Sequence, residues 1–443
     1  MFEDVNSGIR NEKKDFGDNS DGFGDQTKPK PIHPAFVGSL VPPPTYTGPV
    51  MNFSPGPTSL PLEVESEIQS RCFANLEHLE TNTSYQSSAS DFASTFPRLS
   101  TIALSHRSPE FGGILEQAIN AIRNVMEIPD EYEILFAHGG GHGQFAAVPL
   151  NLCSSKEDRA TYLIHGTWGE RALDEASKYC TPIAVSSKDQ DTGTYKGLPS
   201  LENIDPESKF VYLCSNETVN GSEFQKLPKL DSNVPLVVDA SSDFSSKPID
   251  WRESNVGVLF ACASKNVGHP GVTIVVVRRD LLGKAKANPF CPGFMNYTTT
   301  VEAGNLWNTI ATFNVHVVGI MMEWIAKEGG IYEMERRSIA KSQMIYDLID
   351  NQSDGFYSCP INDPALRSRM NAPFDIAGGN EELTNKFLVE AWRRGIVGLR
   401  TLTPFGVGKY LRASFYHGVT ETYVSILADF MIEFANTNKQ HLL

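Results

Sequence analysis

The 443-residue chain has no CxxC pair and no run of apolar residues long enough to span a bilayer. Its cysteines, Cys72, Cys153, Cys180, Cys214, Cys262, Cys291 and Cys359, are seven, an odd number, and lie far apart. That pattern suits reduced thiols in a cytosol-like compartment better than a disulfide framework. Basic residues are scarce: 38 Lys and Arg stand against 53 Asp and Glu, a net charge of −15. A general nucleic-acid binder is therefore not expected. Neither GxGxxG nor GxxxxGK[ST] occurs, so a dinucleotide fold and a P-loop NTPase gain little support. The first 50 residues lack a secretory apolar segment, and their acids argue against an ordinary organelle presequence. What is present is a globular composition, 40% hydrophobic and 10% aromatic, with room for two domains around large cores.

The chain divides into three parts. Residues 1–50 are rich in Asp, Gly, Asn, Lys and Pro, and PKPIHP and VPPPTYTGP cannot be regular helix. They read as a disordered segment or an extended arm lying on a neighbour. Residues 66–315 alternate strand-like and helix-like runs, as in an α/β domain with a mostly parallel sheet. Residues 51–65 and 316–443 form a smaller α+β domain. It starts with one long helical pattern over 313–351, continues with short strands at Arg369–Ile376, Ile396–Leu402 and Tyr410–Tyr416, and closes on an amphipathic helix. Residues 74–100 are polar and rich in Ser and Thr, either a flap or a solvated insertion.

Chemistry enters at Lys265, in the run GVLFACASKNVGHPGVTIVVVRRD. A lysine between two apolar strands loses hydration, its pKa is expected to fall, and its neutral amine becomes a nucleophile toward an aldehyde cofactor. The competing reading is a loop lysine reaching out to water. Upstream, EYEILFAHGGGHGQFAAVPLNL reads as a strand over Glu131–Ala137, a bare glycine turn and a helix from Gln144 to Leu152. Such a turn exposes backbone N–H groups suited to a phosphate. Asp239 ends the apolar run VPLVVD, where a charge wants a cationic partner such as a pyridinium nitrogen, or caps a turn. His138 and His142 form HxxxH, but a glycine loop does not hold the helical spacing that zinc needs, so no metal is expected.

Nine stretches carry a resemblance: MNFSPGPTSLP, SHRSPEF, AHGGGHGQFAAVPLNL, GTWGERALDEASKYC, LCSNETVNGSEF, VVDASSDFSSKPID, SKNVGHPGVTIVVVRRDLLG, RSRMNAPF and LRASFYHG. In this order they span most of residues 51–438, and the chain resembles the phosphoserine aminotransferases, class V pyridoxal-phosphate enzymes of the type I fold. The resemblance implies pyridoxal 5′-phosphate as cofactor. Lys265 matches the Schiff-base lysine that shuttles the proton, and Asp239 the acid that keeps the pyridine nitrogen protonated. Trp168 matches the aromatic stacked on the ring, Thr218 the hydroxyl on the phenolic oxygen, and Gly141 and His142 the phosphate loop. Asn308 and Thr309 match residues that reach a second subunit's cofactor phosphate, which implies a homodimer with composite sites. Arg107, His106 and Arg412 match the groups that hold a substrate with two anionic ends.

Two departures stand out. Ser264 occupies the place of a glutamine that binds cofactor phosphate. The family's GHRSVGG-like loop, whose His-Arg pair binds substrate phosphate, reads GLRTLTPFGVGKYLRAS here, leaving Arg400 and Lys409 as the nearby cations; NTIATF also replaces NTPPTF. The expectation is amino transfer between phosphoserine/3-phosphohydroxypyruvate and glutamate/2-oxoglutarate in serine biosynthesis, on small-molecule amino and 2-oxo acids, without nucleic acid or membrane. The expected location is cytoplasmic, with organelle import left open. The alternatives are a related aminotransferase for another small acidic or hydroxy amino acid, and a non-catalytic cofactor-binding homologue.

Overall fold

The computed structural model describes residues 39–73, 100–195, 197–230, 233–283, 286–403 and 406–439, with backbone alone over 401–403 and 406–409. Residues 1–38 and 74–99, most of the expected arm and insertion, lie outside the described residues.

The centre is a seven-stranded sheet. Its order is Tyr132–Ala137, Thr273–Arg278, Val256–Cys262, Leu236–Asp239, Val211–Cys214, Arg159–Ile164, Thr181–Ser186. Thr273–Arg278 runs antiparallel to both its neighbours, and every other pairing is parallel. The runs LVVD, VGVLFAC and TIVVVR are apolar almost throughout because helices cover both sheet faces. Alternate residues divide between two cores. Ile274 and Val276 join the helices Pro109–Val125 and Thr312–Lys327, while Val275 and Val277 join Gly140–Leu152 and Thr167–Ala176.

A third core holds Met51, Phe53, Phe374, Phe387, Leu411 and Phe434, around a four-stranded sheet of order Tyr357–Ser358, Asn371–Ile376, Gly406–Ser414, Arg400–Thr403. Met51–Asn52 pairs in parallel with Ile396–Val397.

Several sequence expectations shift. The helical pattern over 313–351 is broken: Thr312–Lys327 and Gly330–Asp347 are separate helices, because Gly329 and Gly330 both take positive φ, 111° and 76°. Thr312–Lys327 packs in the large core through Val317, Val318 and Met321, so the change of core falls between Met334 and Ile345 rather than at 316. The strand expected over Ile396–Leu402 is interrupted at Gly398, where φ is +81°. The expected 74–100 segment leaves and returns at one point: Ser100 Oγ donates to the Cys72 carbonyl at 2.8 Å. His316 Nδ1 lies 2.9 Å from Thr101 Oγ1 and 3.3 Å from Cys72 Sγ, tying both ends to the Thr312 helix.

Candidate active site

Five segments carrying site residues leave the carboxyl ends of five co-directional strands: His138–Gly141, Gly166–Trp168, Asn216–Thr218, Asp239 itself, and Ser264–Lys265. Open α/β sheets bind ligands at that edge. The fold thus gathers residues that are up to 127 positions apart in the sequence.

Lys265 lies in the turn after Val256–Cys262, and its Nζ donates to Thr218 Oγ1 at 2.9 Å. The expected fall in its pKa is not what the structure gives. Burial, the largest influence, does pull it down, but Tyr416, Cys262, Asp239 and Cys214 together outweigh burial and raise it. The Ser54–Pro57 loop passes directly over the Lys265 side chain. A Cβ at Gly56 would come within 3.0 Å of Lys265 Cγ, and φ there is +117°, so glycine is required twice over.

Asp239 is buried at the end of its strand. Its Oδ1 accepts the Ser241 N–H at 2.9 Å, and Tyr212 O–H reaches Oδ2 at 3.4 Å. Burial raises its pKa despite the opposing pull of Ser241 and Lys265. The glycine loop lies beside the carboxyl: a Cβ at Gly141 would sit 3.6 Å from Ser241 Oγ and 3.9 Å from Asp239 Oδ2. The helix begins at Gly140, earlier than Gln144, because Gly139 and Gly140 turn the chain with φ of +92° and +62°.

Trp168 opens the helix Thr167–Ala176, with the Arg171 guanidinium 5.1 Å from its ring centroid and the His142 ring edge-on at 5.6 Å. That helix has no side-chain cap of its own. Its free N–H groups are met by Glu217, whose Oε2 accepts from Trp168 at 2.9 Å and Oε1 from Gly169 at 2.8 Å. Burial lifts the Glu217 carboxyl to about 7. Sequence reasoning passed over this residue. The available signal was an acid beside Thr218 in a strand-end motif, where a charge needs donors.

Arg412 is buried on the Gly406–Ser414 strand. One of its nitrogens, Nη1, donates to the Thr218 carbonyl at 2.6 Å, and among the described residues its Nε has no hydrogen-bond partner. Burial brings its pKa down to about 10. Tyr416, also unremarked in the sequence, donates to the Pro55 carbonyl at 3.0 Å and accepts from Asn371 at 3.2 Å, joining the loop over Lys265 to the small sheet.

Ser264 is half-buried, its Oγ 3.7 Å from Cys262 Sγ. His106 and Arg107 precede the Ser108-capped helix Pro109–Val125, and Arg107 Nε donates to His106 Nε2 at 3.1 Å on the surface. Asn308 and Thr309 are exposed, with the Thr309 carbonyl 3.1 Å from His138 Nε2. Among the described residues no hydrogen bond joins these four to Lys265, Asp239 or Arg412. Arg400 faces away, onto Asn385 Oδ1 at 3.2 Å, and the Lys409 side chain lies outside the described residues. Among the described residues no cluster of His, Cys, Asp and Glu is arranged to hold a metal.

The residues present fit pyridoxal phosphate. The buried acid Asp239 and the Lys265 amine act on one another, and among the described residues Trp168 Nε1, Thr58 Oγ1 and Arg412 Nε are buried polar atoms without hydrogen-bond partners. Exposed donors of the glycine loop open the Gly140 helix on the same side.

The aminotransferase class-V family profile matches residues 84–427. A phosphoserine aminotransferase of Drosophila melanogaster is 39% identical over 88% of this chain and 100% of its own. The phosphoserine aminotransferase of Bacillus circulans subsp. alkalophilus superposes with a TM-score of 0.77 at 32% identity, covering 88% of this chain and 99% of its own. The pyridoxal-phosphate-bound enzyme of Trichomonas vaginalis gives 0.74 at 29% identity, over 86% of this chain and 99% of its own. Sequence and fold agree over the same span: the chain belongs to the class-V aminotransferases and, among them, to the phosphoserine aminotransferase family.

Proposed function

We propose that the protein transfers an amino group between glutamate/2-oxoglutarate and phosphoserine/3-phosphohydroxypyruvate, a step of serine biosynthesis, with pyridoxal phosphate bound at Lys265. The observation that carries this is the convergence of Lys265 and Arg412 on Thr218, one on its hydroxyl and one on its carbonyl, at 2.9 Å and 2.6 Å. The base that would move a proton and the cation that would hold an α-carboxylate are thereby fixed to a single residue.

When bound, the cofactor supplies an electron sink for the charge left when the amino acid loses its Cα proton. Asp239 would hold the ring nitrogen protonated, since a buried acid favours a cation beside it. Trp168 would lie against the ring, and Thr218 would donate to its phenolic oxygen. Gly141, His142 and Ser264 would hold the phosphate. Lys265 is both the attachment point and the group that would carry the proton. Arg412 would orient the α-carboxylate through its unpartnered Nε. His106 and Arg107 would take the distal anion. Their paired, solvent-facing arrangement in a single chain supports a role across an interface.

The active unit in this reading is a homodimer. Phe290 is 86% exposed and Trp307 53%, and Trp307 adjoins Asn308 and Thr309, the residues assigned to a partner's phosphate. Exposed aromatics of this size mark an interface. A cytoplasmic setting fits seven free thiols, and no helix among the described residues is long and apolar enough to cross a membrane.

Borohydride reduction of the holoprotein followed by peptide mapping tests the assignment. The cofactor label should fall on Lys265, and Lys265→Ala should abolish amino transfer from both glutamate and phosphoserine. A label on another lysine overturns it.

A further inference from the structure

The stretches that resemble the family begin at Met51, yet the chain before it is built into the fold. Pro42, Pro43 and Pro44 restrict the backbone, so docking this segment forfeits little conformational entropy. Tyr46 N–H closes a turn onto the Pro43 carbonyl at 2.8 Å, and its hydroxyl donates to the Pro49 carbonyl at 2.8 Å. Trp392 Nε1 donates to the Val41 carbonyl at 2.7 Å. The Tyr46 ring occupies the space over Gly395, where a Cβ would lie 2.4 Å from it. Met51 N–H then bonds the Gly395 carbonyl at 2.8 Å, and Phe53 N–H the Val397 carbonyl at 2.9 Å.

This segment shares a cavity with the start of the part of the chain that departs from the family pattern, GLRTLTPFGVGK after Val397. Ser54 fills the space a Cβ at Gly398 would need, at 2.4 Å. That cavity, of about 260 Å³, is lined by Leu40 and Trp392 together with Gly56, Gly398 and Arg400. Gly56 is also the residue pressed on Lys265. One loop thickness therefore lies between the segment and the reacting lysine.

We infer that residues 39–50 are a specificity strap: they brace the Gly395–Arg400 turn and the Ser54–Pro57 loop from behind and so set how the site discriminates the distal anion of its amino-acid substrate. The inference rests on the reaction proposed above. The braced turn occupies the place where the family carries its phosphate-binding pair, so the strap acts on that end of the substrate. The α-carboxylate end rests on Arg412, whose partner Thr218 belongs to the large domain. Residues 39–50 act through position alone, since none of them touches the reacting centre.

Four holoproteins test this: the full chain, a deletion of residues 1–38, a deletion of residues 1–48, and Trp392→Phe, which keeps the ring and loses the donor to Val41. Single-turnover half-reactions are followed with phosphoserine and with glutamate, separating saturation from rate. Removal of 1–38 should leave the ratio of kcat/KM values for the two substrates within about twofold. Removal of 1–48 and Trp392→Phe should each lower the phosphoserine-to-glutamate ratio about 10-fold, through KM for phosphoserine, the worth of one well-placed hydrogen bond. Should the longer deletion fail to fold, Trp392→Phe and Tyr46→Ala carry the same test. A ratio unchanged in Trp392→Phe and Tyr46→Ala overturns the strap alone. A full chain inert toward both amino acids overturns the proposed reaction and the strap with it.

Discussion

Glu217 receives the backbone N–H of Trp168 at 2.9 Å, and its second oxygen receives the next N–H, that of Gly169. A carboxyl from a hairpin thus caps a helix from a different part of the sheet, and it aims the one indole of the site. The cap leaves no room for a side chain at Gly166, where a Cβ would meet Glu217 Cδ at 2.3 Å. An amide has one acceptor where the carboxylate has two. Glu217→Gln should therefore leave one buried N–H facing a donor, a loss of about 1–3 kcal/mol. Cofactor affinity of the apoprotein, read by quenching of tryptophan fluorescence, should fall about 10-fold or more. An unchanged affinity in the glutamine variant would show that the cap does not aim Trp168.

Arg412 is buried, and among the described residues its Nε has no hydrogen-bond partner. In the proposed function this group holds the α-carboxylate of the substrate. Arg412→Ala should lower kcat/KM about 10- to 100-fold with both glutamate and phosphoserine, the range of a charged hydrogen bond of about 1.5–3 kcal/mol. Arg107→Ala should instead damage the phosphoserine reaction more than the glutamate one. Equal damage from both variants on both substrates would contradict the division of labour between the two anionic ends.

The proposed composite dimer makes a prediction by complementation. Homodimers of Lys265→Ala or of Asn308→Ala should be inactive or weak. Mixed and exchanged, they should recover activity, because one site of each heterodimer then has neither change. A monomer in sedimentation with full activity excludes this arrangement.

Acid should destabilise the free protein through its buried imidazoles. Burial holds His165 and His316 down to about 4 and His417 down to about 3, against an ordinary 6.5. Between pH 6.5 and 4 the unfolded chain binds protons that these folded residues refuse, so stability falls as pH falls. Glu217 acts in the opposite sense. Its folded value of about 7 exceeds the ordinary 4.5, so its share of stability is lost as pH rises through that window. Three imidazoles against one carboxyl leave a net loss on acidification. Tm measured from pH 7 to pH 5 should drop, and His316→Asn should flatten the slope. A flat or rising profile would count against neutral buried histidines.

The sequence alone determined the chemistry. Lys265 between two apolar strands, Asp239 at the end of LVVD and the glycine turn at 139–141 were legible because each is a residue type that its surroundings make costly or special. Apolar runs alternating with amphipathic ones likewise announced the parallel sheet. The tertiary structure decided what distance and environment control. Burial pulls the Lys265 pKa down, yet Tyr416, Cys262, Asp239 and Cys214 together raise it, and no sequence spacing shows that position 416 acts on 265. Glu217 became a cap only when the strand order set its hairpin against the Trp168 helix. The pattern over 313–351 satisfies helical periodicity throughout, but two glycines at positive φ let it serve two cores in turn. Residues 39–50, whose prolines break any helical or strand periodicity, dock largely through backbone carbonyls, which every sequence carries alike and only geometry can pair.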